Sequence, residues 1–175
     1  MLNELIGTKF KIIAGYASAG QTMQAVINRE VDGTLNQTWD SVMATKPDLI
    51  RDGKLRILMQ IAVHKFPKLG DTPFIMDYIK GEEERQVLSL LLANLEYGRA
   101  FVFPPGVPAA AVAEMREAFT KAARDAELVA DADRQRLELD IAEGVDIQKF
   151  MSDTYRTAPH IVARARDVMS RADGR

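Results

Sequence analysis

The stretch GYASAGQT at residues 15–22 combines small residues with a serine, directly after the apolar run FKIIA. Small side chains at Ser18, Ala19 and Gly20 would let an anion approach the backbone closely, and the amide N–H groups at the start of a helix favour negative charge. The stretch lacks the lysine of a phosphate-binding P-loop and the glycine spacing of a dinucleotide fingerprint. A plain connecting turn is the commoner alternative, and these residues alone leave both interpretations open.

Two aromatic residues and an acid–hydroxyl pair are the other candidates for chemistry. Tyr16 and Trp39 stand beside predicted strand ends, where open α/β sheets bind ligands, although a lone aromatic side chain more often fills the core. Asp40 and Ser41 are adjacent, but no nearby histidine and no Gly-x-Ser-x-Gly elbow is present to activate the serine. A capped helix start explains that pair better, and we expect no catalytic residues and no enzyme activity.

Composition and charge argue against several functional classes. The 175 residues include no cysteine and two histidines, so the sequence offers no metal-ligand spacing. A formal net charge of −2 provides no strong field for nucleic acid or an anionic membrane. No apolar run reaches the roughly 18 residues of a membrane span, and the first residues, MLNELIGTKFK, lack an export-signal pattern. We expect no metal, no cofactor and no nucleic-acid partner.

The elements that would position the small-residue stretch alternate between strand and helix. Apolar runs that end at turn residues predict strands at 9–14, near 31–35, and at 55–63, 99–103 and 137–140. Helical spacing and capping residues predict helices after Ser18, Thr38 and Pro47, at 74–80 and 82–95, and over most of the chain after Pro108. Such alternation predicts an α/β fold with a mostly parallel sheet, followed by a helical C-terminal segment.

The order of four motifs resembles that of the solute-binding receptors of tripartite tricarboxylate transporters, also called Bug-type receptors. The pieces are GYASAGQTMQAVINREVDG from residue 15, DLIRDGKLRIL from 48, LGDTPFI from 69 and FPPGVP from 103. The resemblance covers nearly the whole chain, and the combination is far more specific than any one motif. It favours the anion-binding interpretation of residues 15–22 over the plain turn.

The resemblance implies a type II periplasmic-binding-protein fold, in which two α/β lobes close on a small organic carboxylate for delivery to membrane permease subunits. Ligands in the family include dicarboxylates, citrate-like acids, acidic amino acids and aromatic acids. Carried over by position, the ligand loop consists of Tyr16, Ala17, Ser18, Ala19, Gly20 and Gln21. A second wall of the cleft is expected at 37–40, with Gln37, Thr38 and Trp39 as binding residues.

By the same resemblance, the chain corresponds to a second lobe at 1–100, a hinge or crossing segment at 101–108, and a C-terminal segment at 109–175 that belongs to an incomplete first lobe. We expect a truncated form of a periplasmic receptor, in which half a cleft binds ligand poorly.

Without a first lobe, two apolar stripes would be uncovered. They are formed by Val112, Met115 and Phe119, and by Ile161, Ala165, Val168 and Met169. We therefore expect a homodimer, because soluble monomers rarely expose large apolar patches. A non-transporting interaction module that only self-associates is the alternative function.

Overall fold

The computed structural model describes residues 1–98, 100–135, 137 and 139–172, and it shows a helical protein. The α-helices in chain order are α1 (Leu2–Leu5), α2 (Ala19–Ile27), α3 (Trp39–Thr45), α4 (Pro47–Arg51), α5 (Glu82–Tyr97), α6 (Ala109–Ala123), α7 (Ala126–Gln135), α8 (Gly144–Tyr155) and α9 (Pro159–Ala172). Short 3-10 turns occur at Pro67–Leu69 and Ile75–Asp77. Over these described ranges, no helix is long and apolar enough to cross a membrane.

The prediction of an α/β periplasmic-binding-protein lobe with a mostly parallel sheet is wrong. Across the part of the chain that the structure describes, the predicted strands are irregular, and the β pairing consists of one isolated parallel bridge between Gln60 and Phe74. Arg99 and Glu138, which fall within two of the predicted strands, lie outside the described residues. A strand requires a neighbour for its backbone N–H and C=O groups, and an apolar run does not specify that neighbour.

The helix predictions based on local signals are confirmed. Ser18 and Thr38 cap α2 and α3 with their side chains, and Pro47 occupies the first turn of α4. The helix predicted at 74–80 is reduced to one 3-10 turn. Because the Ile75 amide donates to the Gln60 carbonyl oxygen at 3.0 Å, the start of this segment is tied to the bridge instead of to a helix.

The chain divides into two compact units. The first unit comprises Met1–Lys9, Ile57–Arg124 and Ile141–Arg175, and the second comprises Phe10–Arg56 and Asp125–Asp140. The boundaries expected from the receptor resemblance, at 1–100, 101–108 and 109–175, remain a prediction about lobes.

The first unit is built around α5. One apolar cluster joins the α1 residue Leu2 and the 3-10 turn residue Ile75 to Leu88 of α5. The other cluster packs Val87 of α5 against the α9 face formed by Ile161, Ala165 and Val168. Three of the four residues predicted for the apolar stripe of α9 are buried, and Met169 is exposed. Because α5 covers the three buried residues, they do not require a missing sheet.

An ion pair accompanies the packing of α5 against α9. Arg164 donates to Glu84 Oε1 from Nη2 at 2.9 Å and from Nε at 3.1 Å. Both side chains are partly buried, which reduces the screening that weakens exposed pairs. The pair fixes the register between the first turn of α5 and the middle of α9.

The second unit has a smaller apolar core. Its buried hydrophobic residues, within the described ranges, are Met23 and Ala25 from α2, Val42 from α3 and Ala132 from α7. Several large apolar side chains of this unit remain exposed, including Ile12, Ile13 and Leu35. The unit contains every residue predicted to bind a ligand.

Candidate anion site at the start of α2

The first turn of α2 is held by two side chains that cap it. Ser18 has an extended backbone, with φ −155 and ψ 161, and its Oγ accepts a hydrogen bond from the Gln21 amide at 3.2 Å. Gln21 Oε1 accepts from the Ala17 amide at 2.9 Å. The arrangement is a capping box in which the glutamine reaches one residue further back than usual. The predicted loop residues Ala17 and Gln21 therefore have their amide donors occupied.

The remaining donors of this turn are the amides of Ala19 and Gly20. Neither amide has an acceptor within the described part of the chain, as expected for the first amides of a helix. Gly20 is exposed, and a Cβ atom built there would contact only Ser18 Oγ, at 3.7 Å. An anion would therefore meet two open amides and the positive end of a nine-residue helix.

Gln37 lies against the same turn. Its Nε2 donates to the Ala19 carbonyl oxygen at 2.7 Å and lies 3.3 Å from Thr22 Oγ1. The structure thus brings one residue of the predicted second wall to the predicted loop, although the two segments are 18 residues apart in sequence.

Two residues of this network were missed by the sequence analysis. The Thr22 hydroxyl lies 2.9 Å from the Ala19 carbonyl oxygen and 2.7 Å from Asn36 Oδ1. Asn36 Oδ1 also accepts from the Thr34 hydroxyl at 2.6 Å. The polar run Asn36–Gln37–Thr38 was the available signal, but its connection to α2 depends on the fold. All side chains of the network are neutral, so the charge of an anion would be opposed only by backbone dipoles.

The other predicted residues have different local roles. Thr38 Oγ1 accepts from the Ser41 amide at 3.2 Å and caps α3, and Trp39 begins that helix with a half-buried side chain. Tyr16 is also half-buried. In the described ranges, no hydrogen bond joins Thr38 or Trp39 to residues 16–21. Among the residues predicted for the second wall, Gln37 is therefore the one that hydrogen-bonds to the predicted loop.

A separate concave region occurs in the first unit, between α6 and the start of α8. Its volume is about 350 Å³, and it is lined by Arg116, Glu117, Thr120, Lys121, Glu143, Gly144 and Val145. The charged groups that line it have partners, and Lys121 Nζ lies 2.6 Å from Glu117 Oε1. Glu143 accepts from Thr120 at 2.8 Å and from Arg124 at 3.0 Å, and Arg116 donates to Gln148 at 2.6 Å. We interpret this cluster as a set of polar contacts that holds α6 against the start of α8.

The described residues contain no cluster of three or more histidine, aspartate or glutamate side chains that could hold a metal ion. Comparisons with known proteins gave no match to the chain among family models, curated proteins or solved structures. The resemblance to Bug-type receptors therefore stays a prediction that depends on the motifs.

Removing the α2 cap should weaken the second unit. We expect Ser18→Ala to reduce its free energy of unfolding by about 1 kcal/mol, because the Gln21 amide loses its acceptor. Urea unfolding followed by circular dichroism measures the loss. Ser41→Ala is the matched control, because that exposed serine lies inside α3 and caps no helix. Equal losses in the two variants would contradict a capping role for Ser18.

Proposed function

We propose that the chain acts as an extracytoplasmic solute-binding receptor, or as a fragment of one, that captures a small organic carboxylate for the permease subunits of a tripartite tricarboxylate-type transporter. The observation that carries the proposal is the pair of open amides at Ala19 and Gly20, at the start of a capped helix. The motif order that resembles the receptor family supplies the transporter context. The proposal requires no sheet, because the donors belong to one helix turn.

The chemistry of the turn favours a carboxylate over other anions. Two neighbouring amides match the two oxygens of one carboxylate group. Multiply charged phosphate groups are commonly held by arginine or lysine as well, and the α2 network contains neither. The network also lacks a nucleophile with an adjacent base, so its geometry supports binding and not catalysis. Because Gly20 is exposed, the bound anion would remain hydrated, and we expect weak affinity.

Calorimetric titration with citrate, succinate, glutamate and benzoate tests the proposal. We expect saturable binding of at least one acid, and a loss of affinity of about tenfold or more in Gly20→Val, because the valine side chain would cover the open amides. The fold should tolerate this change, since a Cβ at residue 20 makes only an ordinary contact with Ser18 Oγ.

Gly33→Val is the matched control for that titration. Gly33 lies in the same unit, has no atom within 4 Å of a built Cβ, and does not have a positive φ. The control should bind as the unaltered chain does. Equal affinity in Gly20→Val and the unaltered chain would remove the α2 turn from the site, and no binding of any acid to the unaltered chain would overturn the proposal.

Exposed apolar residues favour a second candidate function, a self-associating interaction module. Phe101 and Val102 are 86% and 81% exposed, and Leu58 is 67% exposed. The Phe101 ring contacts the Phe119 ring, with 5.4 Å between centroids, but this contact leaves most of its surface in water. Burial of such side chains against another chain would be favourable by about 25 cal/mol per Å² of apolar surface.

Light scattering across a range of micromolar concentrations tests self-association. A dimer that binds no carboxylate would favour the interaction module over the receptor. A monomer at every concentration would remove the second candidate.

A further inference from the structure

We propose that Asp32 is a site of spontaneous covalent modification, at which the peptide bond to Gly33 rearranges through a cyclic succinimide to an isoaspartyl bond. The sequence contains Asp–Gly pairs at 32–33, 52–53 and 173–174, and the last of these lies outside the described residues. The fold leaves the first pair open to the rearrangement and protects the second. This chemistry does not depend on carboxylate binding at α2.

The rearrangement needs only the two residues and water. The Gly33 nitrogen attacks Cγ of the Asp32 side chain, a C–N bond closes the ring, and the carboxyl hydroxyl leaves as water with the amide proton. Water then opens the ring at either of its carbonyl carbons. Opening at the side-chain carbon regenerates aspartate, whereas opening at the main-chain carbon gives isoaspartate, in which the backbone passes through Cβ.

Asp32 and Gly33 meet the steric and hydrogen-bonding requirements of ring closure. Both residues are exposed and lie beyond the end of α2, outside the helices. Among the described residues, the Asp32 carboxylate has no hydrogen bond or ion pair, and the Gly33 amide has no acceptor. A Cβ built at Gly33 would have no atom within 4 Å. The carboxyl group can therefore rotate onto the Gly33 nitrogen without breaking a contact.

The second pair, Asp52–Gly53, is an internal comparison in which the reacting groups are held. Asp52 Oδ1 accepts from Arg51 Nε at 3.0 Å, and Oδ2 accepts from Lys54 Nζ at 3.3 Å. The Gly53 amide donates to the Ile50 carbonyl oxygen at 3.1 Å. Ring closure here requires these bonds to break first, so the folded chain should slow the reaction. Because the two pairs have the same residue types, the fold must cause the difference.

The product would alter the connection between α2 and the loop that packs back on it. Isoaspartate adds one carbon atom to the backbone and leaves its α-carboxylate as the side group. In the loop that follows, Asn36 Oδ1 lies 2.7 Å from the Thr22 hydroxyl, and Gln37 Nε2 donates to the Ala19 carbonyl oxygen at 2.7 Å. A longer connection would change how these side chains meet α2, so the modification would act on the candidate anion site.

Timed incubation of the folded chain in warm neutral buffer tests the site. An endoproteinase that cleaves before aspartate does not cleave before isoaspartate, so peptide maps of the denatured samples report each position separately. Resistance to cleavage should accumulate at Asp32 about tenfold faster or more than at Asp52. Gly33→Ala should slow the reaction at Asp32 by about tenfold, because a Cβ crowds the attacking nitrogen. The fold should tolerate this variant, since Gly33 has open space and no positive φ.

The same incubation in concentrated urea separates the effect of the fold from that of the sequence. Asp32 and Asp52 should isomerise at similar rates in the unfolded chain, because glycine follows both. Equal rates at the two positions in the folded chain would overturn the proposal, and so would isoaspartate that forms at Asp32 only in urea. A difference that persists in urea would belong to neighbouring residues and would overturn the role of the fold. An undiminished rate in Gly33→Ala would exclude the succinimide route.

Discussion

Replacing Ile161 by alanine is expected to lower the free energy of unfolding of the first unit by about 3 kcal/mol. Ile161 is 1% exposed and packs with Val87 of α5. The substitution removes buried methylene and methyl groups and leaves a cavity that neighbouring side chains fill only in part. A loss of this size is a large fraction of the stability of an ordinary domain, so the unit should unfold at a clearly lower urea concentration.

Met169→Ala is the matched control on the same helix. Met169 is 46% exposed, so its truncation should cost less than 1 kcal/mol. Urea unfolding followed by circular dichroism compares the two variants. Similar losses at both positions would mean that α9 does not pack on α5 through Ile161.

The helices that were predicted correctly begin at capping residues, which bond to backbone groups only a few positions away in the sequence. Ser18 bonds to an amide three residues later, and so does Thr38. Pro47 needs only its own restricted φ to begin α4. Because these interactions close within one helical turn, they are visible in the sequence without knowledge of the fold.

The strand predictions failed because pairing is not a local property. The run at 55–63 is apolar enough for a buried strand, yet only Gln60 within it forms a bridge. The apolar residues Phe101 and Val102 have no strand neighbour in the described part of the chain and remain exposed. An apolar pattern indicates which side chains would be buried, but it does not establish that a second strand is available to bury them.

As with the helices and strands, the sequence predicted the local features of the candidate site but not its long-range contacts. The open amides at Ala19 and Gly20 could be predicted from the serine cap and the small residues beside it, because these are local features. The bond from Gln37 to the Ala19 carbonyl oxygen spans 18 residues and depends on how the loop after α2 returns. Thr22 and Asn36 carry no pattern that distinguishes them from ordinary surface residues, so their contribution was missed.

Replacing Gln60 by leucine should also destabilise the first unit by about 3 kcal/mol. Gln60 is 4% exposed, and its side chain joins two parts of the following loop. Nε2 donates to the Thr72 carbonyl oxygen at 3.0 Å, and Oε1 accepts from the Phe66 amide at 2.9 Å. Leucine has a similar size, so the loss would come from two part-buried backbone groups left without partners, each costing about 1–3 kcal/mol.

Gln86→Leu provides the control for this prediction. Gln86 is exposed on α5, and among the described residues its side chain bonds only to Glu82, at 3.1 Å. That change should alter stability by no more than about 0.5 kcal/mol. Hydrogen exchange at the Phe66 amide gives a second readout. This amide should lose protection in Gln60→Leu and keep it in Gln86→Leu. If both glutamine variants kept the stability and the Phe66 protection of the unaltered chain, the 66–73 loop would be held by the Gln60 backbone bonds to Pro73 and Ile75, and the side chain would have no structural role.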